Sequence, residues 1–219
     1  MSEICLVVGA GPGIGRAVGM AFANAGLDVA LASRNPANLE PHCREIRRET
    51  GRSARAYAVE AGSGDSLQAL FDTVGAEMGV PEVVVFNAAH AHRGRPTTVP
   101  VDQWLADFRL NVLGALTCAQ IAAPGMRARG HGSILLTGGG FAHEPSALYA
   151  SLSADKAALR SLTYSLAQEL GGHGIHVATV TVYGLLQVGT HFDPEKIADE
   201  YVRLHQQTRG NFEIEVVYK

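Results

Sequence analysis

Residues 4–17 read ICLVVGAGPGIGRA, and most of the fold can be argued from them. Ile4–Val8 is an unbroken apolar run, the pattern of a strand buried on both faces rather than one with a wet side. Glycines at 9, 11, 13 and 15, with Pro12, follow at once. Gly13–Asn24 then carries helical periodicity, and Gly26 stands where a helix C-terminus favours glycine. A buried strand, a glycine turn and a helix form a unit that can hold a phosphate, because helix N–H groups and the positive dipole end aim into the turn. The spacing Gly-x-Gly-x-x-Gly fails here, since counting from Gly9 and Gly11 puts Ile14 in the last slot. Gly9-x-x-x-Gly13-x-Gly15 fits instead. Gly9, Gly13, Ile14 and Gly15 are therefore candidate cofactor-binding residues. The competing reading is a strand–helix turn that binds nothing, and the strands that follow favour a nucleotide.

Outward from this unit the alternation continues. Val29–Ala32, Ala54–Val59, Glu82–Phe86, Ser133–Thr137 and Ile175–Val182 read as further strands. Asn38–Glu49, Asp65–Met78 with Asp65 as N-cap, Val101–Arg129 and Ala147–Leu170 read as the helices between them. A last helix is expected near Pro194–Gln206, with Asp193 as its cap and Pro194 in its first turn, then a strand at Glu213–Val217. The expected fold is α/β: a single-domain, Rossmann-type, doubly wound parallel sheet of six to seven strands with helices on both faces. No repeat, low-complexity tract or linker divides the chain. Residues 1–219 thus read as one dinucleotide-binding domain, with 186–219 as a short extension on the substrate side.

Composition narrows the function classes. The 219 residues are 47% hydrophobic and 18% charged, which suits a globular chain with its own core. A net charge of −3 gives no reason to expect nucleic acid or an anionic membrane as partner. The three cysteines, Cys5, Cys43 and Cys118, show neither disulfide nor zinc spacing, so a reducing cytoplasm is expected and no metal site. No basic leader precedes the first strand, and no apolar run reaches the roughly 20 residues of a membrane span. The expected partner is a small-molecule substrate.

The second strand ends in Leu31-Ala-Ser-Arg-Asn35. An acidic side chain there would grip the ribose 2′-OH of NAD and repel a 2′-phosphate. This chain has Ser33 and Arg34. A guanidinium pairs with phosphate in two-point geometry, so NADP(H) is favoured over NAD(H); the alternative is a solvated arginine at the start of a loop.

Several spaced motifs together resemble the short-chain dehydrogenase/reductase family, over roughly residues 4–185. Gly9, Gly13 and Gly15 match its glycine motif. Asn87 and Ala88 in FNAAH match its Asn-Asn-Ala-Gly motif, with Ala89 in the glycine slot. Asn111 in RLNVLGA matches the Asn of its long helix, and Lys156 in SADKAAL the Lys of Tyr-x-x-x-Lys. The resemblance implies that Glu60, after the third strand, lies near the adenine, although the usual residue is Asp. It also implies packing through the two long helices into a homodimer or homotetramer, where the competing reading is helices that only cover the sheet.

The catalytic set implied by the resemblance is incomplete. In the family a Tyr passes the proton, Lys holds the nicotinamide ribose and tunes the Tyr, Ser orients the carbonyl and Asn supports a water relay. Here Lys156 and Asn111 are in place, Leu152 occupies the Tyr slot, and Gly138 or Gly139 the Ser slot. Tyr149 precedes Lys156 by seven residues, about 10 Å along a helix. It serves only if the chain before Leu152 is non-helical, and otherwise it is a half-buried tyrosine lining the cleft. His90 and His92 are further candidate acids, more simply read as exposed loop residues. Past the sixth strand, Val182-Tyr183 or Tyr183-Gly184 takes the place of Pro-Gly, and Gln187 or Thr190 that of the following Thr. Loss of an acid–base group costs roughly 10² to 10⁴ in rate, so hydride transfer can survive it. Two readings follow: an atypical NADP(H)-dependent oxidoreductase acting on a small carbonyl, alcohol or activated alkene with a non-standard proton donor, or an inactive dinucleotide-binding protein serving as sensor or structural subunit.

Overall fold

The computed structural model describes residues 3–219 and shows a seven-stranded, all-parallel sheet ordered β3-β2-β1-β4-β5-β6-β7. The strands are β1 (Ile4–Val8), β2 (Asp28–Ser33), β3 (Ala54–Ala58), β4 (Val83–Phe86), β5 (Gly132–Gly139), β6 (Ile175–Val182) and β7 (Glu215–Tyr218). The helices are α1 (Ile14–Asn24), α2 (Glu40–Thr50), α3 (Gly64–Glu77), α4 (Val101–Phe108), α5 (Gly114–Arg129), α6 (Ala150–Leu170) and α7 (Pro194–His205). The pleat explains why β1 is apolar at every position. Ile4, Leu6 and Val8 point into a core under α3, α5 and α6, while Cys5 and Val7 point into a second core under α1, α2 and α7. Each such side chain contributes about 1.5–3 kcal/mol on burial, which makes the central strand intolerant of polar substitution.

Strand order reverses between β1 and β4, so the crevice for a ligand opens beyond the carboxyl ends of these two strands. Gly9 begins the turn there with φ +84°, a conformation that favours glycine.

Three elements differ from the sequence-based reading. The helix expected over Val101–Arg129 is broken by one π turn, Arg109–Leu113, which carries Asn111. Gly114, just after it, lies where a Cβ would stand 2.3 Å from the carbonyl oxygen of Ala61, so the helix approaches the sheet at its bare point. The cap of α3 is Ser63, whose hydroxyl accepts from the Ser66 N–H; Asp65 sits within the first turn. The helix expected from Ala147 begins at Ala150, because Ser146, Leu148 and Tyr149 are spent on turns and on a bridge to Gly94. Within residues 186–219, Ile197, Ala198, Tyr201 and Leu204 of α7 are buried in the second core, and β7 extends the sheet. Asp193 caps α7 by accepting from the Glu195 N–H, with Pro194 in the first turn.

Candidate functional site

Two cavities lie at the carboxyl end of the sheet. The first, of about 320 Å³, is lined among others by Gly9, Ser33, Arg34, Glu60, Asn87 and His90. It brings together Gly9, Ser33, Arg34, Glu60, Asn87 and Ala88 from the ends of four different strands, whereas Gly13, Ile14, Gly15 and Lys156 are not in its lining. The glycine turn is shaped by close approach. A Cβ on Gly9 would stand 2.2 Å from the Ala88 nitrogen, and one on Gly15 would stand 2.7 Å from the Ala10 Cα. Gly13 is the N-cap of α1, which has no side-chain cap and no acidic residue in its first turn. The N–H groups opening the helix at Ile14 thus meet neither a capping side chain nor a first-turn carboxylate that would repel an anion, so this helix end can take a phosphate. Arg34 is exposed at the rim, and among the described residues no carboxylate pairs with it. The Glu60 carboxylate faces its own loop, where the Gly62 N–H approaches it at 3.5 Å.

Asn87 ties this turn to the rest of the site. Its Nδ2 donates to the Gly9 carbonyl at 2.9 Å, and its Oδ1 accepts from the Thr137 hydroxyl at 2.9 Å. The carbonyl of the same Thr137 accepts from Lys156 Nζ at 2.6 Å, and its hydroxyl pairs with Tyr201 at 2.7 Å. Thr137, not among the site residues expected from sequence, therefore couples the glycine turn, the lysine and α7. Its only sequence signal was its place at the expected end of the fifth strand.

The second cavity, of about 300 Å³, lies beyond β5 and β6 and is lined by Lys156, Leu152, Gly139, Gly140 and Tyr183, among others. Burial pushes the Lys156 ammonium down to about 8, partly offset by the neighbouring Asp155 charge. Leu152 faces this cavity one turn before Lys156, as the motif spacing requires. The choice between the two serine slots closes on geometry. A Cβ on Gly138 would meet the Thr179 hydroxyl at 2.6 Å, whereas one on Gly139 would lie 3.6 Å from Lys156 Cε, in ordinary contact. Gly139 is the position from which a hydroxyl would face the lysine. Tyr149 is non-helical and half-buried, with its ring stacked on Phe141 at 5.7 Å; Phe141 lines the cavity and Tyr149 does not.

Behind the two cavities runs a buried polar cluster. Asn111 Oδ1 accepts from the His90 N–H at 2.7 Å, and Nδ2 donates to Asp155 at 2.7 Å and to the His90 carbonyl at 3.1 Å. Asp107, 1% exposed, accepts from Gln103 and Ser151 and pairs with His90 Nδ1, each at 2.8 Å. Burial alone would raise the Asp107 carboxyl, but these three bonds outweigh it and hold it below the ordinary range. Asp155 is pushed the other way, up to about 6, by burial and by the Asp107 charge, against Asn111 and Lys156. His90 is thereby fixed between the first cavity and this cluster. His92 is part-buried, its ring 6.3 Å from that of His90. Gln187 and Thr190 bond one another in the loop after β6, the threonine hydroxyl donating to the Gln187 carbonyl at 2.8 Å.

Comparison with known proteins agrees with this architecture. The short chain dehydrogenase family model matches residues 3–195, and the chain belongs to that family. A short chain dehydrogenase of Pseudocercospora fijiensis is 32% identical over 175 residues, 79% of this chain and 56% of the relative, so the chain spans little more than half that protein's length. A D-threitol dehydrogenase of Mycolicibacterium smegmatis is 26% identical, over 82% of this chain and 68% of its own. Among solved structures, a metagenomic short-chain oxidoreductase in complex with NADP superposes with a TM-score of 0.90 at 28% identity, covering 98% of this chain and 96% of that one. Among the described residues no helix is long and apolar enough to cross a membrane.

Proposed function

We propose that the protein binds NADP(H) across the two cavities and transfers hydride to or from a small carbonyl, alcohol or activated alkene, using a proton donor other than a tyrosine at position 152. The observation that carries this reading is the N-terminus of α1, which has no side-chain cap and no acidic residue in its first turn and follows directly on the Gly9–Ala10 turn that lines the first cavity. Gly9 sets that turn tight against the end of β4, since a Cβ there would stand 2.2 Å from the Ala88 nitrogen. Gly13, Ile14 and Gly15 hold the pyrophosphate by backbone N–H groups, while Gly9, whose own N–H donates to the Ala32 carbonyl at 2.9 Å, shapes the turn beneath it; Ser33 and Arg34 take the 2′-phosphate, and Glu60 lies at the adenine end. Asn87 and Ala88 floor the cleft, Lys156 holds the nicotinamide ribose hydroxyls, and Asn111 fixes the strand-end loop at His90. The bound nicotinamide supplies hydride. The likeness to a structure holding NADP supports the cofactor class.

Val101, Leu105 and Phe108 form an exposed apolar stripe at helical spacing on α4, which supports a homodimer or homotetramer. A second reading, binding without turnover, has one observation in its favour: Leu152 and Gly139 remove two hydroxyls from the wall of the second cavity. The test is fluorescence titration of the purified protein with NADPH and, in parallel, NADH. Tight NADPH binding with much weaker NADH binding supports the assignment, and binding of neither refutes it.

A further inference from the structure

Among the residues that line the second cavity, Tyr183 carries the one hydroxyl. Its backbone N–H donates to the Tyr218 carbonyl at 3.0 Å, which fixes it to β7. Its ring lies on the bare backbone of Gly140, where a Cβ would stand 2.8 Å from the ring. The run of glycines that costs the site its serine therefore also makes room for this tyrosine. The Tyr183 hydroxyl is hydrogen-bonded to Nδ1 of His143. Nε2 of the same ring faces Glu215 Oε1 at 3.3 Å. The Glu215 side chain is 5% exposed and held by Arg160 at 2.7 Å, Thr181 at 2.7 Å and Tyr164 at 3.0 Å. Burial works against its charge, yet these partners keep the carboxyl below the ordinary range. Lys219 Nζ stands 4.3 Å from the Tyr183 ring centroid, and Lys156 and Glu144 complete the charged surroundings. Other hydroxyls nearby are already used: Ser151 donates to Asp107 at 2.8 Å and Ser153 to the Tyr149 carbonyl at 2.8 Å.

We propose that Tyr183 is the proton-donating residue of this site, with His143 and Glu215 as the positioning residues that recharge it. This rests on the proposed function and identifies its missing donor. In the direction of reduction, hydride adds to the carbonyl carbon and the C=O π pair moves onto oxygen. That oxygen takes the proton of the Tyr183 hydroxyl, and the neutral His143 ring, with Nε2–H facing Glu215, then takes a solvent proton on Nδ1 and passes it to the phenolate. His143 thus ends the cycle neutral as it began, and solvent reaches its part-exposed ring. One carbonyl, one hydride and one proton give one alcohol, and oxidation runs the same path backward.

Two readouts test this. Long-range proton–nitrogen NMR of the protein, with His143→Gln to assign the ring, is expected to show neutral His143 with its proton on Nε2, and a changed Nδ1 shift in Tyr183→Phe. A neutral ring protonated on Nδ1, or shifts unmoved by Tyr183→Phe, overturns the relay whatever the activity. Reduction of diacetyl, an activated vicinal diketone, by NADPH is the second readout. Tyr183→Phe is expected to lose roughly 10² to 10⁴ in kcat with NADPH affinity unchanged. Glu215→Gln is expected to move the alkaline fall of the pH–rate profile to lower pH, a shift that a purely structural role would not produce. Wild-type turnover with Tyr183→Phe within about threefold of it, or a loss confined to Glu144→Gln, overturns this inference alone. A wild type that neither binds NADPH nor reduces diacetyl removes the proposed function and this inference with it.

Discussion

Replacing Asp155 with Asn gives a stability difference that grows as pH rises. Asp155 lies 1% exposed beside Lys156, shares its cluster with the ionised Asp107, and titrates at about 6 instead of 3.8. A carboxyl whose folded value is raised contributes stability that is fully present below its unfolded value. That contribution is lost as pH rises through the folded value. The shift of about two units corresponds to about 3 kcal/mol between the fully protonated and fully ionised limits. Roughly 1.4 kcal/mol of this falls between about pH 5 and about pH 8, the rest being lost at lower pH. Asn keeps an acceptor for the Asn111 amide and carries no charge at any of these values, so the variant lacks this loss. Urea unfolding at fixed protein concentration is the assay. With an m-value of about 2 kcal/mol/M, the midpoint of the variant relative to wild type should climb by about 0.7 M across that range. Parallel midpoints at every pH would refute the reasoning and show that Asp155 ionises in the fold as it does in water.

The remaining expectations concern the cofactor cradle and the catalytic slots. Arg34→Ala should weaken NADPH binding by about ten- to a hundredfold, the worth of a charge-assisted contact, and leave NADH within about twofold by the same titration. Gly9→Ala, which places a Cβ 2.2 Å from the Ala88 nitrogen at φ +84°, should lower Tm by several degrees and abolish NADPH binding; Gly11→Ala, with nothing within 4 Å, should change neither. Leu152→Tyr combined with Gly139→Ser should fold normally, since Gly139 has room for a Cβ. On the proposed function it should not raise diketone turnover; a rise of about 10² or more would instead mark a lapsed site.

The parts of the molecule that were legible in sequence are those where a short contiguous pattern carries the physics. Ile4–Val8 and the glycines after it specified a strand, a turn and a helix. Asn87, Asn111 and Lys156 could be placed because each sits in its own recognisable few residues. Ser63 was passed over as a cap because Asp65 two positions later has the same chemistry, and only the backbone angles distinguish them. The π turn left no trace, since one extra residue per turn barely disturbs apolar periodicity. Tyr183, His143 and Glu215 were beyond reach for another reason. They come from three distant segments, and only pairing between β6 and β7 brings the glutamate alongside. The serine slot was ambiguous in sequence and became definite once Thr179 and Thr181 were seen to crowd Gly138.

The position of β7 at the sheet edge sets an order of appearance during synthesis. A ribosome releases β1 to β4 and the glycine turn, which carry most of the lining of the first cavity, before the rest of the chain. Glu215 emerges long after Lys156. Every residue that lines the second cavity is therefore made before the last strand, and what β7 adds on docking is the carboxylate of Glu215 behind that wall, against Arg160 and Thr181.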